Sequence, residues 1–206
     1  MILETVNVGP MQVNCYIVAC AVGKAAIIID PGDQLHKISA VLKRYTLNPA
    51  MVINTHGHYD HIGCDDKFGV SVYVHRQDLA MLTDASLNLS AAFALAYKVK
   101  SEIITLEDKQ LIKCDCLELE VIHLPGHTPG GIALLMKKPQ TGIIFTGDTL
   151  FYQGVGRADL PGGSQSQLEN SIRERLFVLP DETKVYPGHG AATTIGKEKN
   201  NNLSID

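Results

Sequence analysis

The sequence predicts an α/β protein in which two mixed β-sheets lie between layers of helices. Short apolar segments bounded by Gly, Pro and other turn-forming residues recur along the whole chain. In some places they alternate with segments of helical periodicity, whereas in others several strand-like segments follow one another directly. The second half of the chain repeats this plan. Strands that alternate with helices but also occur in succession fit two mixed sheets covered by helices.

The first half of the chain contains five strand-like segments, which are short, apolar and flanked by turns: 2–8, 13–18, 24–30, 50–54 and 70–74. Residues 35–45 predict a helix because apolar side chains occur at 35, 38, 41, 42 and 45, a helical spacing. Two further helical stretches are predicted at residues 75–81 and 87–99.

The second half predicts strands within four segments, followed by a helix, a strand and a short polar helix at the carboxyl terminus. The strand segments are 103–112, 116–123, 132–136 and 142–146. The helix spans residues 164–176, and Ser164 is its predicted N-cap, with Gln167 three residues further on as in a capping box. A last strand is predicted at residues 184–186.

Composition favours a globular enzyme and disfavours a nucleic-acid-binding or membrane protein. The 206 residues are 45% hydrophobic and 19% charged, and the formal net charge is −4. The longest basic block is Lys137-Lys138, too short to indicate a nucleic-acid surface. No segment approaches the ~20 apolar residues that a membrane helix requires. We therefore expect one domain over residues 1–206 that acts on a small molecule, without nucleic acid or membrane partners.

The amino terminus and the cysteines lead to the expectation of a cytoplasmic location. The chain starts directly with the strand-like segment 2–8 instead of the basic and apolar regions of a signal peptide. Its five cysteines are odd in number and irregularly spaced, so the sequence predicts reduced thiols. Cys15, Cys20, Cys114 and Cys116 are predicted to lie in the core. Cys64 follows the histidine-rich segment but is not needed as a metal ligand.

The segment 55–61, Thr-His-Gly-His-Tyr-Asp-His, is the most informative part of the sequence. It places His56, His58, Asp60 and His61 directly after the strand-like segment 50–54. Neutral imidazoles bind zinc, iron and similar ions, and a carboxylate in the same turn allows one loop to serve two metals. These side chains would therefore project from a rigid strand end.

Three further residues of the same types occur at strand ends downstream. His127 follows the strand segment 116–123, Asp148 follows 142–146, and His189 follows 184–186. Each stands in a Gly- or Pro-containing turn. A single histidine in such a turn carries little information, but five histidines and two aspartates at four strand-to-loop junctions indicate a metal site.

This pattern resembles the metallo-β-lactamase superfamily from residue 13 to about residue 203. Finer features are similar to the small type II glyoxalase-like hydrolases within it, starting with Gly57 between the first two histidines. The remaining features are Pro125-Gly126-His127-Thr128-Pro129-Gly130, Gly147-Asp148-Thr149-Leu150-Phe151, Gly154-x-Gly156-Arg157-x-Asp159-x-Pro161-Gly162-Gly163 and Thr194-Ile195-Gly196-x-Glu198-Lys199. The resemblance implies a four-layer αββα sandwich of two mixed sheets with the metal site at one end.

The resemblance also implies how two metal ions would be held. It assigns His56, His58 and His127 to the first ion, and Asp60, His61 and His189 to the second. Asp148 would bridge the two ions. Zinc is the expected metal, although these ligand types also accept iron and manganese.

The expected reaction follows from those ligands. Two metal ions that share a water lower its pKa toward ~7, so that a bridging hydroxide exists at neutral pH and attacks an acyl carbon. Asp60 is the expected catalytic residue because its free oxygen can orient this nucleophile. A thiol has a pKa near ~8.5 and departs without prior protonation, which favours a thioester substrate. The resemblance implies S-lactoylglutathione or a similar thioester. Full-length type II glyoxalases add a helical domain, so here loops around the metals would bind glutathione.

Three alternatives stay open at this point. Gly156-Arg157-x-Asp159 also resembles persulfide dioxygenases, which use a single iron held by a His/His/Asp subset, and oxygen dependence distinguishes that activity. The second alternative is a lactone or β-lactam hydrolase, and the third is a metal-stabilised binding module. Asp30 either supports a ligand histidine or caps a turn. Arg157 either binds a substrate carboxylate or pairs with an aspartate of its own loop.

Overall fold

The computed structural model describes residues 1–205 and contains two six-stranded sheets that pack face to face. Side chains of α1 pack on the outer face of the first sheet, and side chains of α4 pack on the outer face of the second. Helix α1 spans Leu35–Arg44 and α4 spans Gln165–Ser171. The predicted four-layer αββα arrangement of two mixed sheets is therefore confirmed.

The first sheet contains the first six strands in sequence order. The first three strands are antiparallel, whereas the third to the sixth run parallel to one another. Parallel strands end at the same edge of a sheet, which brings the loops after β3 and β4 side by side. The bounds are β1 Ile2–Val8, β2 Val13–Ala19, β3 Ala25–Ile29, β4 Asn48–Ile53, β5 Val72–His75 and β6 Ile103–Leu106.

The second sheet has the order β14-β13-β10-β9-β8-β7. It is antiparallel apart from β10 and β13, which are parallel. The bounds are β7 Leu111–Cys114, β8 Leu117–His123, β9 Ile132–Lys138, β10 Ile143–Gly147, β13 Lys184–Pro187 and β14 Thr193–Thr194. A separate hairpin is formed by β11 Leu150–Phe151 and β12 Gly154–Val155.

The other helices are short. Among residues 1–205, no helix has the length and apolar character needed to cross a membrane. Ser164 is the N-cap of α4, as predicted, because its hydroxyl accepts a hydrogen bond from the Gln167 amide. The remaining α-helices are α2 Tyr59–Ile62, α3 Leu79–Thr83 and α5 Ile195–Asn201, with 3₁₀ turns at Asp65–Lys67, Arg76–Asp78 and Ser90–Phe93 and a π-helical continuation of α4 at Ile172–Leu176.

The core explains why the strands are apolar on both faces. Ile27 and Ile29 point between the two sheets and pack in the same cluster as Phe145 of the second sheet. Ile28, which lies between them, faces the opposite side and packs with Ile38 of α1. Because successive strand side chains alternate between faces, a sheet buried on both faces requires near-continuous apolar strands.

The segment 87–99 corrects the prediction of a long helix. It forms a single 3₁₀ turn, Ser90–Phe93, within an irregular loop. The Asn88 side chain donates hydrogen bonds to the carbonyls of Met81 and Tyr97, and its oxygen accepts one from the Ser90 amide. These side-chain bonds replace helical backbone bonds and hold the segment as a loop. Likewise, the predicted strand segment 103–112 divides between the two sheets as β6 and β7.

Cys20 and Cys116 form a disulfide, which corrects the prediction that both are reduced. Cys20 follows β2 of the first sheet and Cys116 lies between β7 and β8 of the second, so the bond joins the sheets. The two Cα atoms are 5.9 Å apart although the sequence separation is 96 residues. Cys15 and Cys114 are buried free thiols, as predicted. The disulfide also removes the reduced-thiol argument for a cytoplasmic location.

Replacing both Cys20 and Cys116 by Ser is expected to lower the free energy of unfolding by about 2–4 kcal/mol, because the bond closes a long loop in the unfolded chain. Denaturant melts without reductant measure this difference, and the same melts with reductant should give equal stabilities for both proteins. Thiol titration of the denatured, unreduced wild type should find three thiols. A titre of five, the full cysteine content, would contradict the disulfide.

Candidate metal centre

All seven ligand-type residues predicted from the sequence meet at one end of the sandwich. The first four follow β4, and the other three follow β8, β10 and β13. Their nitrogen and oxygen atoms fall into three overlapping groups, and within each group all the atoms lie within 4.8 Å of one another. The groups are His56, His58 and His127; His56, His61 and Asp148; and Asp60, His61 and His189.

Asp148 lies between the first and the last of these groups. Its Oδ2 atom is 3.7 Å from His127 Nε2 on one side and 3.4 Å from His189 Nε2 on the other. Its Oδ1 atom is 3.5 Å from His61 Nε2. On the first side, His58 Nδ1 and His127 Nε2 are 2.9 Å apart. The arrangement consists of two adjacent clusters with Asp148 between them. The first cluster contains His56, His58 and His127, and the second contains Asp60, His61 and His189.

The outer ring nitrogens of two histidines are held by backbone carbonyl groups. His127 Nδ1 donates to the carbonyl of Arg157 at 2.7 Å, and His189 Nδ1 donates to that of Met11 at 2.9 Å. Such bonds place the proton on Nδ1 and leave Nε2 free to bind a cation. His58 is oriented differently, because its Nδ1 atom faces the cluster.

Asp30 supports two of the other histidines, which agrees with the first of the two interpretations drawn from the sequence. Its Oδ2 atom lies 3.0 Å from His61 Nδ1 and accepts a 2.7 Å hydrogen bond from the Thr55 hydroxyl. Because that hydroxyl donates to Asp30, its oxygen is available to accept from His56 Nδ1, 3.2 Å away. Both imidazoles are thereby oriented with Nε2 toward the site.

Electrostatics differ between the two clusters. Burial lowers the pKa of His58 to about 3, and the neighbouring His127 acts in the same direction. Burial also lowers the pKa of His56 well below its ordinary value, with His61 contributing. Both imidazoles are therefore neutral at pH 7, the form in which histidine binds metal ions.

Carboxylates dominate the second cluster. Burial opposes protonation of His61, but Asp148, Asp30 and Asp60 outweigh it and raise the pKa of His61 to about 9. The pKa of His189 rises to about 10 because hydrogen bonds to Asp148 and Asp60 outweigh its burial. A divalent cation can supply the positive charge that these carboxylates otherwise take from protons, so its binding would release protons.

The donor atoms fit a metal. Among residues 1–205, no hydrogen-bond partner reaches His56 Nε2, His61 Nε2 or Asp148 Oδ1, although all three atoms are buried. Buried polar atoms are otherwise hydrogen-bonded in nearly all proteins. Imidazole nitrogens and carboxylate oxygens are the donors that zinc, iron and manganese accept. The chain therefore contains a His/Asp metal site.

Asp78 supports the first cluster, although the sequence pattern does not indicate it. Its carboxylate joins the loop of His56 and His58 to the loop of His127. This buried carboxylate accepts hydrogen bonds from the Gly57 amide at 3.1 Å, the Thr128 hydroxyl at 2.7 Å and the Gly130 amide at 2.6 Å. Gly57 lies between His56 and His58, and Thr128 follows His127. A lone aspartate at the end of a 3₁₀ turn gives no signal in the sequence.

The His189 loop is held against the first sheet. Asn14 donates to the carbonyls of Pro187 and Gly190 at 2.9 Å, and the Tyr16 hydroxyl donates to that of Pro187 at 2.6 Å. Gly188 is required in this loop because a Cβ atom there would clash with Asp148 Oδ1. The Pro-Gly-His sequence at 187–189 therefore allows close approach of two ligand segments.

A pocket of about 340 Å³ opens over the metal site. Its wall includes five of the seven ligand-type residues, six apolar or aromatic side chains and Arg157. Arg157 pairs with Asp159 through two hydrogen bonds of 2.7 Å, the second of the two interpretations drawn from the sequence. The volume falls in the range of small-molecule sites, about 300–1,000 Å³. The other wall residues are Met11, Tyr59, Leu89, Ala92, Phe93 and Leu160.

Comparison with known families agrees with the metal site that the geometry indicates. A sequence model described as the metallo-beta-lactamase superfamily matches residues 8–189. The chain belongs to the metallo-β-lactamase superfamily. The superfamily resemblance is thus confirmed, which places the chain in a metallo-hydrolase superfamily.

Relatives and solved structures in the superfamily match nearly the whole chain. The probable metallo-hydrolase YqgX of Bacillus subtilis is 36% identical over 95% of this chain and 93% of its own. The hydroxyacylglutathione hydrolase GloC of Haemophilus influenzae is 33% identical over 98% of this chain and 97% of its own. The structure of BLEG-1 B3 metallo-β-lactamase is 34% identical, covers 98% of both chains and has a TM-score of 0.91. The structure of TTHA1623 in a di-iron-bound form is 36% identical, covers 97% of this chain and 98% of its own, and has a TM-score of 0.83.

Proposed function

We propose that this protein is a dinuclear metal-dependent hydrolase of thioesters, with S-lactoylglutathione as the representative substrate. The observation that carries the proposal is the position of Asp148 between two clusters of three donors each. His56, His58 and His127 would hold one ion, and Asp60, His61 and His189 the other. Asp148 would contact both. We propose zinc for both positions, and the di-iron-bound form of TTHA1623 makes iron the alternative to test.

Two bound divalent ions would lower the pKa of a shared water to ~7 and stabilise negative charge on an acyl oxygen. The protein would direct that water through Asp60. Asp60 Oδ2 faces His61 Nε2 at 3.8 Å and His189 Nε2 at 3.5 Å, which leaves Oδ1 to accept a hydrogen bond from the attacking water. Asp60 lines the pocket, so this oxygen can reach an attacking water that faces the bound substrate.

The other residues of the pocket favour a thioester over an amide. An amine leaving group needs a proton, whereas a thiol of pKa ~8.5 departs as the thiolate. Apart from the proposed ligands, the described wall residues include no carboxylic acid, histidine or lysine, and burial raises the pKa of Tyr59, which makes its phenol a weak proton donor. The similarity to GloC, a chain of nearly the same extent, supports the same substrate class.

The direct test is hydrolysis of S-lactoylglutathione by protein of known metal content. Turnover is expected in the metal-replete protein, to be lost after chelation and restored by added zinc or iron. Separate reconstitution with each metal identifies the active form. Absence of turnover with two ions bound per chain would refute the thioester proposal, and oxygen consumption with glutathione persulfide would then test the dioxygenase alternative.

A second candidate activity is β-lactam hydrolysis. The similarity to BLEG-1 B3 metallo-β-lactamase favours it, since 98% of both chains superpose with a TM-score of 0.91. Benzylpenicillin should therefore be assayed beside the thioester with the same preparation. A higher kcat/KM for benzylpenicillin than for S-lactoylglutathione would make the β-lactam the better assignment.

A further inference from the structure

Residues 91–96, Ala-Ala-Phe-Ala-Leu-Ala, are all apolar and all exposed. With Met11 they form what we call the apolar rim. Phe93 is 59% exposed, Met11 51% and Leu95 37%. Single exposed apolar residues are ordinary, but an uninterrupted run of six is a feature that soluble proteins avoid unless it serves a function.

The rim is continuous with the metal centre. The Phe93 ring packs on Tyr59, with ring centroids 4.8 Å apart, and Tyr59 directly precedes Asp60. Phe93 and Met11 both line the pocket that contains the metal-site residues. Leu95 lines an adjoining cavity that also reaches Asp60. A molecule bound at the metal site from the Asp60 side therefore contacts the rim.

The rim is held by hydrogen bonds at both ends. Asn88 anchors its start through the Met81 carbonyl, and the Tyr97 amide donates to the Ser90 hydroxyl at 3.1 Å across its base. The bonds that replace the predicted helix thus present Phe93 and Leu95 outward as a defined surface. Preorganised apolar surfaces bind ligands with little ordering entropy.

The part of the pocket wall next to His127 carries Arg157. The Arg157 carbonyl accepts a hydrogen bond from His127, and the Arg157 side chain, 62% exposed, pairs with Asp159. Among the described wall residues, Arg157 has the only permanently cationic side chain. The pocket wall therefore has exposed apolar side chains next to Asp60 and a charged side chain next to His127.

We infer that the preferred thioester carries an aromatic or other large apolar acyl group, which packs on the rim. This inference rests on the proposed thioesterase function and adds the acyl class. A glutathione-type thiol bears carboxylates, for which the apolar rim offers no partner, so it would extend away from the rim. The acyl substituent then lies against Phe93 and Met11, where burial of apolar area contributes binding energy.

A pair of non-hydrolysable thioethers tests the rim without catalysis. S-benzylglutathione and S-methylglutathione differ only by an aromatic ring beside the sulfur, and calorimetry on the metal-replete protein gives both Kd values. S-benzylglutathione should bind about tenfold more tightly, because its ring buries apolar area. Phe93→Ser should reduce this ratio to near one, whereas Val178→Ser, which removes a 70% exposed apolar side chain elsewhere, should keep it.

A matched pair of thioesters tests the same preference in turnover. S-mandeloylglutathione has a phenyl group where S-lactoylglutathione has a methyl group. The wild type should show about a tenfold higher kcat/KM for the mandeloyl thioester, mainly through KM, and Phe93→Ser should lose that difference. If neither thioester is hydrolysed, the proposed function fails, and the thioether binding ratio still decides whether the rim binds apolar groups.

Three results would overturn the inference. One is equal binding of the two thioethers by the wild type, and another is a binding ratio that Phe93→Ser leaves unchanged. The third is a change of oligomeric state in Phe93→Ser, measured by sedimentation, with no change in either ratio. That third result would identify the rim as a contact between copies of the chain.

Discussion

Replacing Asp148 by Ala is expected to lower kcat/KM for S-lactoylglutathione by at least about a thousandfold, or about 4 kcal/mol of transition-state stabilisation. The carboxylate lies within 3.7 Å of donor nitrogens from both clusters. Its loss would remove one of the carboxylates that raise the pKa values of His61 and His189, and Asp60 would remain beside both. Metal analysis of the purified variant should find fewer than two ions per chain.

Asp181→Ala provides the control for Asp148→Ala. Asp181 is an exposed carboxylate outside the metal-site pocket, so the same change in charge should leave turnover and metal content at wild-type levels. Two tightly bound ions and full activity in Asp148→Ala would exclude a bridging role for this residue. Activity lost with both ions retained would restrict Asp148 to orienting the reacting groups.

Replacing Asp78 by Ala is expected to weaken binding of one metal ion by about 10–100-fold. Asp78 makes its three hydrogen bonds to residues other than the proposed ligands, and these bonds join the loop of His56 and His58 to the loop of His127. Without them the two loops can separate, and the buried amides of Gly57 and Gly130 lose their partner. The ion on the Asp60 side should bind as in the wild type. Competition with a chromogenic chelator resolves the two affinities, and cobalt spectra report which position has changed.

Glu198→Ala separates this positioning role from a general loss of stability. Glu198 is also buried and also accepts three hydrogen bonds, from Gln153, Thr193 and Asn202. Its removal should destabilise the fold to a comparable degree without altering the ion held by His56, His58 and His127. If both variants weaken the same ion equally, Asp78 has no specific role in positioning the ligand loops.

Local information was sufficient to predict most strands of the two sheets, α1 and the seven clustered side chains, but not the short strands β11, β12 and β14. A strand buried on both faces must be apolar throughout, as Ile27, Ile28 and Ile29 illustrate, so its signal is present in consecutive residues. The ligand residues were recognisable because imidazoles and carboxylates recur at strand ends, where a scaffold can hold them. The order of these residues along the chain also carried the superfamily resemblance that the family comparison confirmed.

The features that were wrongly predicted or missed depend on contacts between distant parts of the chain. Segment 87–99 was predicted to be helical, yet the Asn88 side chain donates to the carbonyls of Met81 and Tyr97, before and after it in the chain, and the segment forms a loop. Cys20 and Cys116 become neighbours only when the two sheets pack together. Asp78 acquires its partners when the Gly57 and Thr128 loops meet at the same edge. Residue type and spacing thus determined which side chains bear the chemistry, whereas tertiary packing decided how those side chains are supported and what surface surrounds them, because hydrogen bonding and burial depend on distances in space.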